Sequence, residues 1–263
     1  MKLISYAGFK FETNSENPRI KLVMPDALSD IFFASLYLRS TINDMAAGDP
    51  STVWMSMSHM FNGCGLVAPH QVHGTDIIDA KSDFELPIRF SADGIYLEES
   101  SESLASLRFA DCTPVVIAGA IPKPWMFILH SGFVGTVKNI SSSAVRYLKD
   151  KLGEADMNDA LAWVLPGISF RCYGRRRADA KTAEAQKIFS EDNMYIEGET
   201  VYFDIRGQIR HQLLSAGIHE ENIFVCDDCT CCNSKLYYSY RAGDTESRLF
   251  LLAGRLPQTM RNA

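Results

Sequence analysis

Leu104-Ala105-Ser106-Leu107-Arg108-Phe109, then Ala110-Asp111-Cys112-Thr113-Pro114, then Val115-Val116-Ile117-Ala118 form the stretch on which the fold turns. Two apolar runs of strand length flank a segment whose Asp and Pro interrupt regular structure. Val115–Ala118 is apolar at every position, the pattern of a strand buried on both faces. Pro122-Lys123-Pro124 then turns the chain, and Trp125–Leu129 is a further buried strand that ends at His130.

Downstream, Gly132 and Gly135 punctuate a turn, and Thr136 is placed to cap a helix. Val137, Ile140, Ala144, Val145 and Leu148 recur at helical spacing, and Gly153 follows the end. Leu161–Leu165 reads as a strand closed by Pro166-Gly167. Asp204 caps a second helix, with Ile205, Ile209 and Leu213 four apart and Gly217 beyond its end. Ile223–Cys226 and Leu236–Tyr240 read as strands, the second packing the aromatic run Tyr237, Tyr238 and Tyr240. Upstream, Gly94–Leu97 begins a short apolar segment after Asp93-Gly94. Residues 1–65 are weakly patterned: Ile31–Leu38 suits a strand or short helix, and Ser51–Met60 a helix capped by Ser51. Strands and helices both alternate and cluster, which predicts an α/β or α+β class with a mixed sheet. With no repeat and no linker, a single domain over 1–263 is expected.

A chain of 263 residues can bury a large core without disulfides. A net charge of −6 lacks the basic field that phosphate-backbone binding uses, so no nucleic-acid partner is expected. Arg175, Arg176 and Arg177 make the one dense cationic run, read as a solvated loop or helix start, or else an anion site. Apolar runs fall short of the ~20 residues that cross a bilayer, and no export signal follows Met1-Lys2. Seven cysteines, an odd number, then suit free thiols in a reducing cytoplasm.

Three motifs carry chemistry: His70-Gln71-Val72-His73-Gly74, Ala110-Asp111-Cys112-Thr113-Pro114, and His130-Ser131-Gly132-Phe133-Val134-Gly135. Each sits at a strand end, where open α/β sheets place ligands. His73, Cys112 and His130 can offer Zn²⁺ three ligands and leave one position open, the pattern of catalytic sites. The same residues support a thiol nucleophile, Cys112, with His130 as its base, as in a hydrolase or acyl transferase. Gln71 suits a substrate hydrogen bond or a structural one. Arg241 and Arg248 flank the Gly243-Asp244 turn and face a site or water. Cys226-Asp227-Asp228-Cys229-Thr230-Cys231-Cys232 contains a CxxC, but structural zinc needs two more ligands, so free thiols are expected there.

These motifs resemble a known family. Gln71-Val72-His73-Gly74 resembles its QVHG signature, Ser91-Ala92-Asp93-Gly94 its ADG segment, Ala110–Pro114 its ADCxP motif and His130–Gly135 its HAGWRG. Pro166-Gly167-Ile168 with Cys172-Tyr173 resembles GPxI…CYE, and Asp204-Ile205 through Ala216-Gly217-Ile218 a family helix. Cys229-Thr230 with Tyr238-Ser239-Tyr240-Arg241 resembles CTxC…FFSYR. Seven motifs in order over residues 71–248 are similar to the YfiH-type, laccase-domain or polyphenol oxidase family.

The resemblance implies a layered α/β/β/α fold with mixed sheets, similar to toxin-type cysteine hydrolases. It implies a zinc site at His73, Cys112 and His130. It implies purine nucleoside chemistry: phosphorolysis of adenosine- and inosine-type nucleosides, and adenosine deamination. Copper-dependent phenol oxidation is an older assignment. Nucleoside and phosphate are then the expected small-molecule partners, Arg241 the expected phosphate contact, and Asp111 a residue that orients a ligand or exchanges a proton. The chain is expected as a monomer or weak homodimer. Three departures stand against the standard activity. Val134 replaces the family's Arg, Gly174 replaces the Glu of CYE, and residues 1–60 do not match the family's Arg-rich N-terminal segment. A member that retains the metal and has lost the standard activity is the remaining expectation.

Overall fold

The computed structural model describes residues 5–6, 8–153 and 157–256. The expectation about an export signal rests on residues that lie mostly outside this set. One sheet has seven strands, in the order Ser5–Tyr6, Phe9–Glu12, Arg19–Leu22, Phe32–Tyr37, Leu249–Arg255, Leu104–Phe109 and Leu66–Val67. A second has six: Ile223–Val225, Leu161–Val164, Thr113–Gly119, Trp125–Ser131, Gly94–Glu98 and Ile77–Asp79. Both mix parallel and antiparallel pairs. A small third sheet joins Gly174–Arg176, Thr200–Phe203 and Met194–Glu197.

Strand periodicity explains the layers. Along Trp125–Ser131, Met126 and Ile128 join a core with Leu107, Phe109, Leu251 and Leu36 of the other sheet, while Trp125, Phe127 and Leu129 pack on the opposite side. That opposite side is covered by helices Ile140–Leu152 and Ile205–Ser215 through Ile140, Ala144, Leu148, Ile209 and Leu213. The outer face of the seven-stranded sheet, with Tyr37, Leu104, Phe250 and Leu252, receives Ala46, Val53 and Met57 from helices Thr41–Ala46 and Pro50–Met57. The result is helices, sheet, sheet, helices: the expected α/β/β/α arrangement. Each large side chain buried between layers contributes about 1.5–3 kcal/mol, so the two-sided strands carry much of the stability.

Local signals were displaced in three places. Asp49, not Ser51, caps the helix Pro50–Met57, its carboxylate accepting from the Ser51 and Thr52 N–H groups, with Pro at the first helical position. Thr136 lies inside the short helix Phe133–Val137, and the following helix starts at Asn139, whose side chain accepts from Ser142 N. Leu236–Tyr240 is a turn rather than a strand. Tyr237 and Tyr238 are consecutive and both fully buried. Their hydroxyls donate to Asp228 and Asp44, so hydrogen bonds to a loop and to the helix Thr41–Ala46 hold them rather than a ladder. Among the described residues, no helix is long and apolar enough to cross a membrane.

Residues 110–112 carry the chain from the end of Leu104–Phe109 in one sheet to the start of Thr113–Gly119 in the other. His130 continues the inward row of Met126 and Ile128 at the same end. Cys112 and His130 are therefore brought together by the layering itself.

Candidate metal centre

His73, Cys112 and His130 converge: one ligand atom from each lies within 4.8 Å of the others. The two imidazole rings have centroids 5.0 Å apart at 63°. Gly132 leaves the space open, since a Cβ there would stand 2.4 Å from Cys112 Sγ and 3.5 Å from His73 Cδ2.

Asp93 organises this centre. It is fully buried, and its Oδ1 lies 2.8 Å from His130 Nδ1. The Val72 and Gly74 N–H groups donate to its Oδ2 and the His73 N–H to its Oδ1. These bonds hold His73 in a left-handed conformation, φ 58°, that a side chain with a Cβ adopts only under constraint. Burial raises the Asp93 carboxyl, but the hydrogen bonds from His130 and the backbone outweigh it and hold the group below the ordinary carboxylate range. An ionised Asp93 only accepts, so His130 donates from Nδ1 and presents Nε2 as a lone pair. Burial also pushes the His130 imidazolium down despite Asp93, which keeps the neutral, ligating form. The Cys112 thiol is pushed up to about 12 by burial and by Asp111 and Asp93. It becomes a good ligand or nucleophile only beside a cation.

The donors open into a cavity of about 810 Å³. Arg89, Arg108, Arg241 and Arg248 bring positive charge to its wall, where Arg89 pushes the neighbouring His70 imidazolium down toward its neutral form, and Tyr173 and Tyr240 bring aromatic rings. Arg108 is buried, and its Nη1 has no hydrogen-bond partner. Burial and Arg89 pull its pKa below the usual guanidinium value. A buried, unsatisfied cation lining a cavity is a binding element for an anion. In the sequence, Arg108 reads only as part of the strand Leu104–Phe109.

The remaining expected residues divide. Gln71 lines the cavity, yet its amide is engaged by the Arg108 backbone: Nε2 donates to Arg108 O at 2.8 Å and Oε1 accepts from Arg108 N at 2.9 Å. Asp111 holds a positive φ of 82°, and its carboxylate accepts from Thr230 Oγ1 and from Arg241 N. It ties loops together. Arg241 lines the cavity but donates from Nη1 to Cys172 O at 3.0 Å and lies over the Tyr173 ring. Val134 packs against the helix-side core and Gly174 against Tyr202, and neither lines the cavity. Arg175 is also away from it, stacked on Phe133 and paired with Asp179.

A second thiol group was not anticipated. Cys172, Cys229 and Cys232 each place sulfur within 4.8 Å of the others. Burial raises the Cys229 thiol, but hydrogen bonds from Ser169 and Cys232 bring it down to about 7. The CxxC was visible in the sequence, whereas its third member lies 57 residues upstream.

The family model for multi-copper polyphenol oxidoreductase laccase matches residues 28–256. Purine nucleoside phosphorylase YlmD of Bacillus subtilis is 30% identical over 155 residues, covering 57% of this chain and 54% of that protein. The match thus spans about half the length of that relative. The protein of the same name from Geobacillus stearothermophilus is 28% identical over 203 residues, 72% of each chain. The solved structure of YlmD from G. stearothermophilus superposes with a TM-score of 0.78 at 21% identity, covering 94% of this chain and 99% of that one. The hypothetical protein YfiH of Bacillus licheniformis gives 0.76 at 20% identity, covering 93% and 98%. At such identities the structures establish a common fold. With that fold in place and the family model running through all three donor residues, the chain belongs to the multi-copper polyphenol oxidoreductase laccase family.

Proposed function

We propose that the chain is a zinc-dependent purine nucleoside phosphorylase. The observation that carries this reading is the buried Arg108 Nη1, unpaired in the same cavity as the His73, Cys112 and His130 donors. The names of the relatives point the same way. Phosphorolysis needs a held phosphate, a placed nucleoside and a departing base. In the reaction an oxygen of hydrogen phosphate forms a bond to the sugar carbon, the bond to the purine nitrogen breaks, and that nitrogen takes the proton the phosphate gives up.

The first two parts have residues. Arg108, with Arg89 and Arg248 beside it, holds phosphate. Tyr240, exposed at the cavity, offers a face on which a purine stacks. Two histidines and a cysteine fit Zn²⁺ with one position open to the cavity, and a zinc ion bound there supplies Lewis-acid polarisation. Asp93 fixes the ring of His130 so that Nε2 faces the donor set. The same open position supports adenosine deamination as a companion activity. The cationic and aromatic side chains of the lining suit a charged co-substrate and a flat base better than a phenol.

Copper oxidation of phenols fits less well. A His₂Cys set also occurs in electron-transfer copper sites, but phenol oxidation normally couples several copper centres, and these three donors make one. A thiol hydrolase draws support from Asp93 bonded to His130, with a ring nitrogen of His130 within 4.8 Å of Cys112 Sγ. The raised Cys112 thiol and the second histidine, His73, favour the metal reading over it. Expected partners remain the nucleoside and phosphate, with the chain a monomer or weak homodimer in the cytoplasm.

The test is product analysis by mass spectrometry with adenosine, inosine and methylthioadenosine, with and without phosphate. Free base and sugar phosphate formed only with phosphate are expected. Turnover that survives exhaustive chelation supports the thiol hydrolase instead, and absence of turnover across the panel sinks the proposal.

A further inference from the structure

Cys172 ends the short turn Phe170–Cys172, and Cys229 and Cys232 lie in the loop after Ile223–Val225. The two segments are held in register by a bridge between Gly167 and Cys229 and by the Thr230 N–H donating to Gly167 O at 3.2 Å. Sulfur separations are 3.4 Å for Cys172 to Cys232 and 3.9 Å for Cys229 to Cys172. All three sulfurs lie within 4.8 Å of one another, and all three cysteines are free. Bonds of about 2.3 Å to a tetrahedral zinc put sulfurs about 3.8 Å apart, so the trio already brackets the spacing a metal would impose.

From this we infer that Cys172, Cys229 and Cys232 form a second metal site, selective for a soft closed-shell cation, Zn²⁺ or Cu⁺. Thiolate donors choose such ions over Mg²⁺ or Ca²⁺. The Ser169 N–H donates to Cys229 Sγ at 3.3 Å, which supports that sulfur as an anionic ligand. Three thiols lose three protons on binding zinc and leave a single net negative charge. The Arg241 guanidinium, bonded to Cys172 O, stands nearby to balance it. Cys232 is exposed, so the ion has a route in from solvent.

The site is separate from the His73–Cys112–His130 centre, yet it sits behind the same cavity wall. Thr230, next to Cys229, donates to Asp111, and Tyr173, next to Cys172, lines the cavity. A cation joining Cys172 to Cys229 pins these two loops together and so holds Tyr173, Arg241 and Asp111 in place. Its role is structural, and it does not rest on the nucleoside reading.

The test uses the full chain, reduced and stripped of metal, carrying Cys112→Ala so that the first centre lacks its thiolate. Co²⁺ is titrated in as a probe of thiolate ligation, and Zn²⁺ and Cu⁺ follow in separate competition arms without oxygen. A thiolate-to-cobalt charge-transfer band is expected in Cys112→Ala and is expected to vanish in Cys112→Ala/Cys232→Ser. Since Cys232 is exposed, circular dichroism is expected to show the double variant folded. Zn²⁺ or Cu⁺, whichever is native, displaces cobalt stoichiometrically and raises the melting temperature of the first variant only. No thiolate band in Cys112→Ala overturns the inference. So does a band that survives replacement of both Cys172 and Cys232, or a Cys172–Cys232 disulfide found by peptide mapping of unreduced protein.

Discussion

Asp93 Oδ1 lies 2.8 Å from His130 Nδ1, and the same carboxylate gathers the N–H groups of Val72, His73 and Gly74. One buried charge thus sets both the tautomer of one candidate ligand and the backbone of the other. Separate loops would otherwise need separate devices to reach the same precision.

Asp93→Asn follows directly. The amide keeps the shape but adds a donor where four donors already point, leaving at least one unsatisfied in a fully buried place. Loss of about 3 kcal/mol is expected at neutral pH. Metal affinity should fall about tenfold to a hundredfold through loss of His73 and His130 geometry. The pH dependence has a fixed sign. Asp93 is held below its ordinary value, so its contribution is present above the unfolded carboxylate pKa and is lost as pH falls through the lower folded one. Urea titrations of both proteins should converge as pH drops below the ordinary carboxylate range. A difference that is constant with pH would contradict the role given to the charge.

Arg108→Leu tests the anion site. A buried cation without a full set of partners costs stability, so its removal should leave the melting temperature of the ligand-free protein unchanged or higher. Phosphate should raise the melting temperature of the natural chain and not of the variant. In turnover, the KM for phosphate should rise about tenfold to a hundredfold while the KM for nucleoside holds. Equal rises in both would place Arg108 outside the phosphate contact.

What could be read from the sequence follows how local each signal is. Thr113–Gly119 and Trp125–Ser131 were legible because strands buried on both faces are apolar at nearly every position. Phe9–Glu12 and Arg19–Leu22 alternate apolar and charged as half-buried strands do, but four residues each are too few for the alternation to stand out. His73, Cys112 and His130 were legible as residues of the right chemistry at strand ends. Their convergence depends on the two sheets ending together. Arg108 was missed because a charged residue in an otherwise apolar strand reads as a face turned to water. Here that face turns to a cavity. Asp93 read only as part of a turn, since nothing local shows that three N–H groups double back onto it. Tyr237 and Tyr238 were misassigned to a strand because aromatic runs favour strands on average, whereas these two are held by hydroxyl bonds to distant carboxylates.

Asp204 is a case where the local signal sufficed. Its carboxylate accepts from the Gly207 N–H and starts the helix Ile205–Ser215. Asp204→Ala should cost about 1 kcal/mol in chemical denaturation without changing metal content. A cost near zero would mean that packing of Ile205, Ile209 and Leu213 alone sets the helix start.

Gly132→Ala tests the donor set without touching a donor. Gly132 has φ −80°, which alanine adopts freely, so the backbone is not strained by the change. The added methyl would stand 2.4 Å from Cys112 Sγ. The sulfur is the free end of its side chain and can swing away, so the fold should survive with near-natural stability. The thiol would then no longer face His73 and His130. Bound metal measured by elemental analysis should fall as in Cys112→Ala, and any metal-dependent turnover with it. Retention of a full metal complement in Gly132→Ala, with the fold intact by circular dichroism, would show that the cation is held elsewhere than between these three side chains.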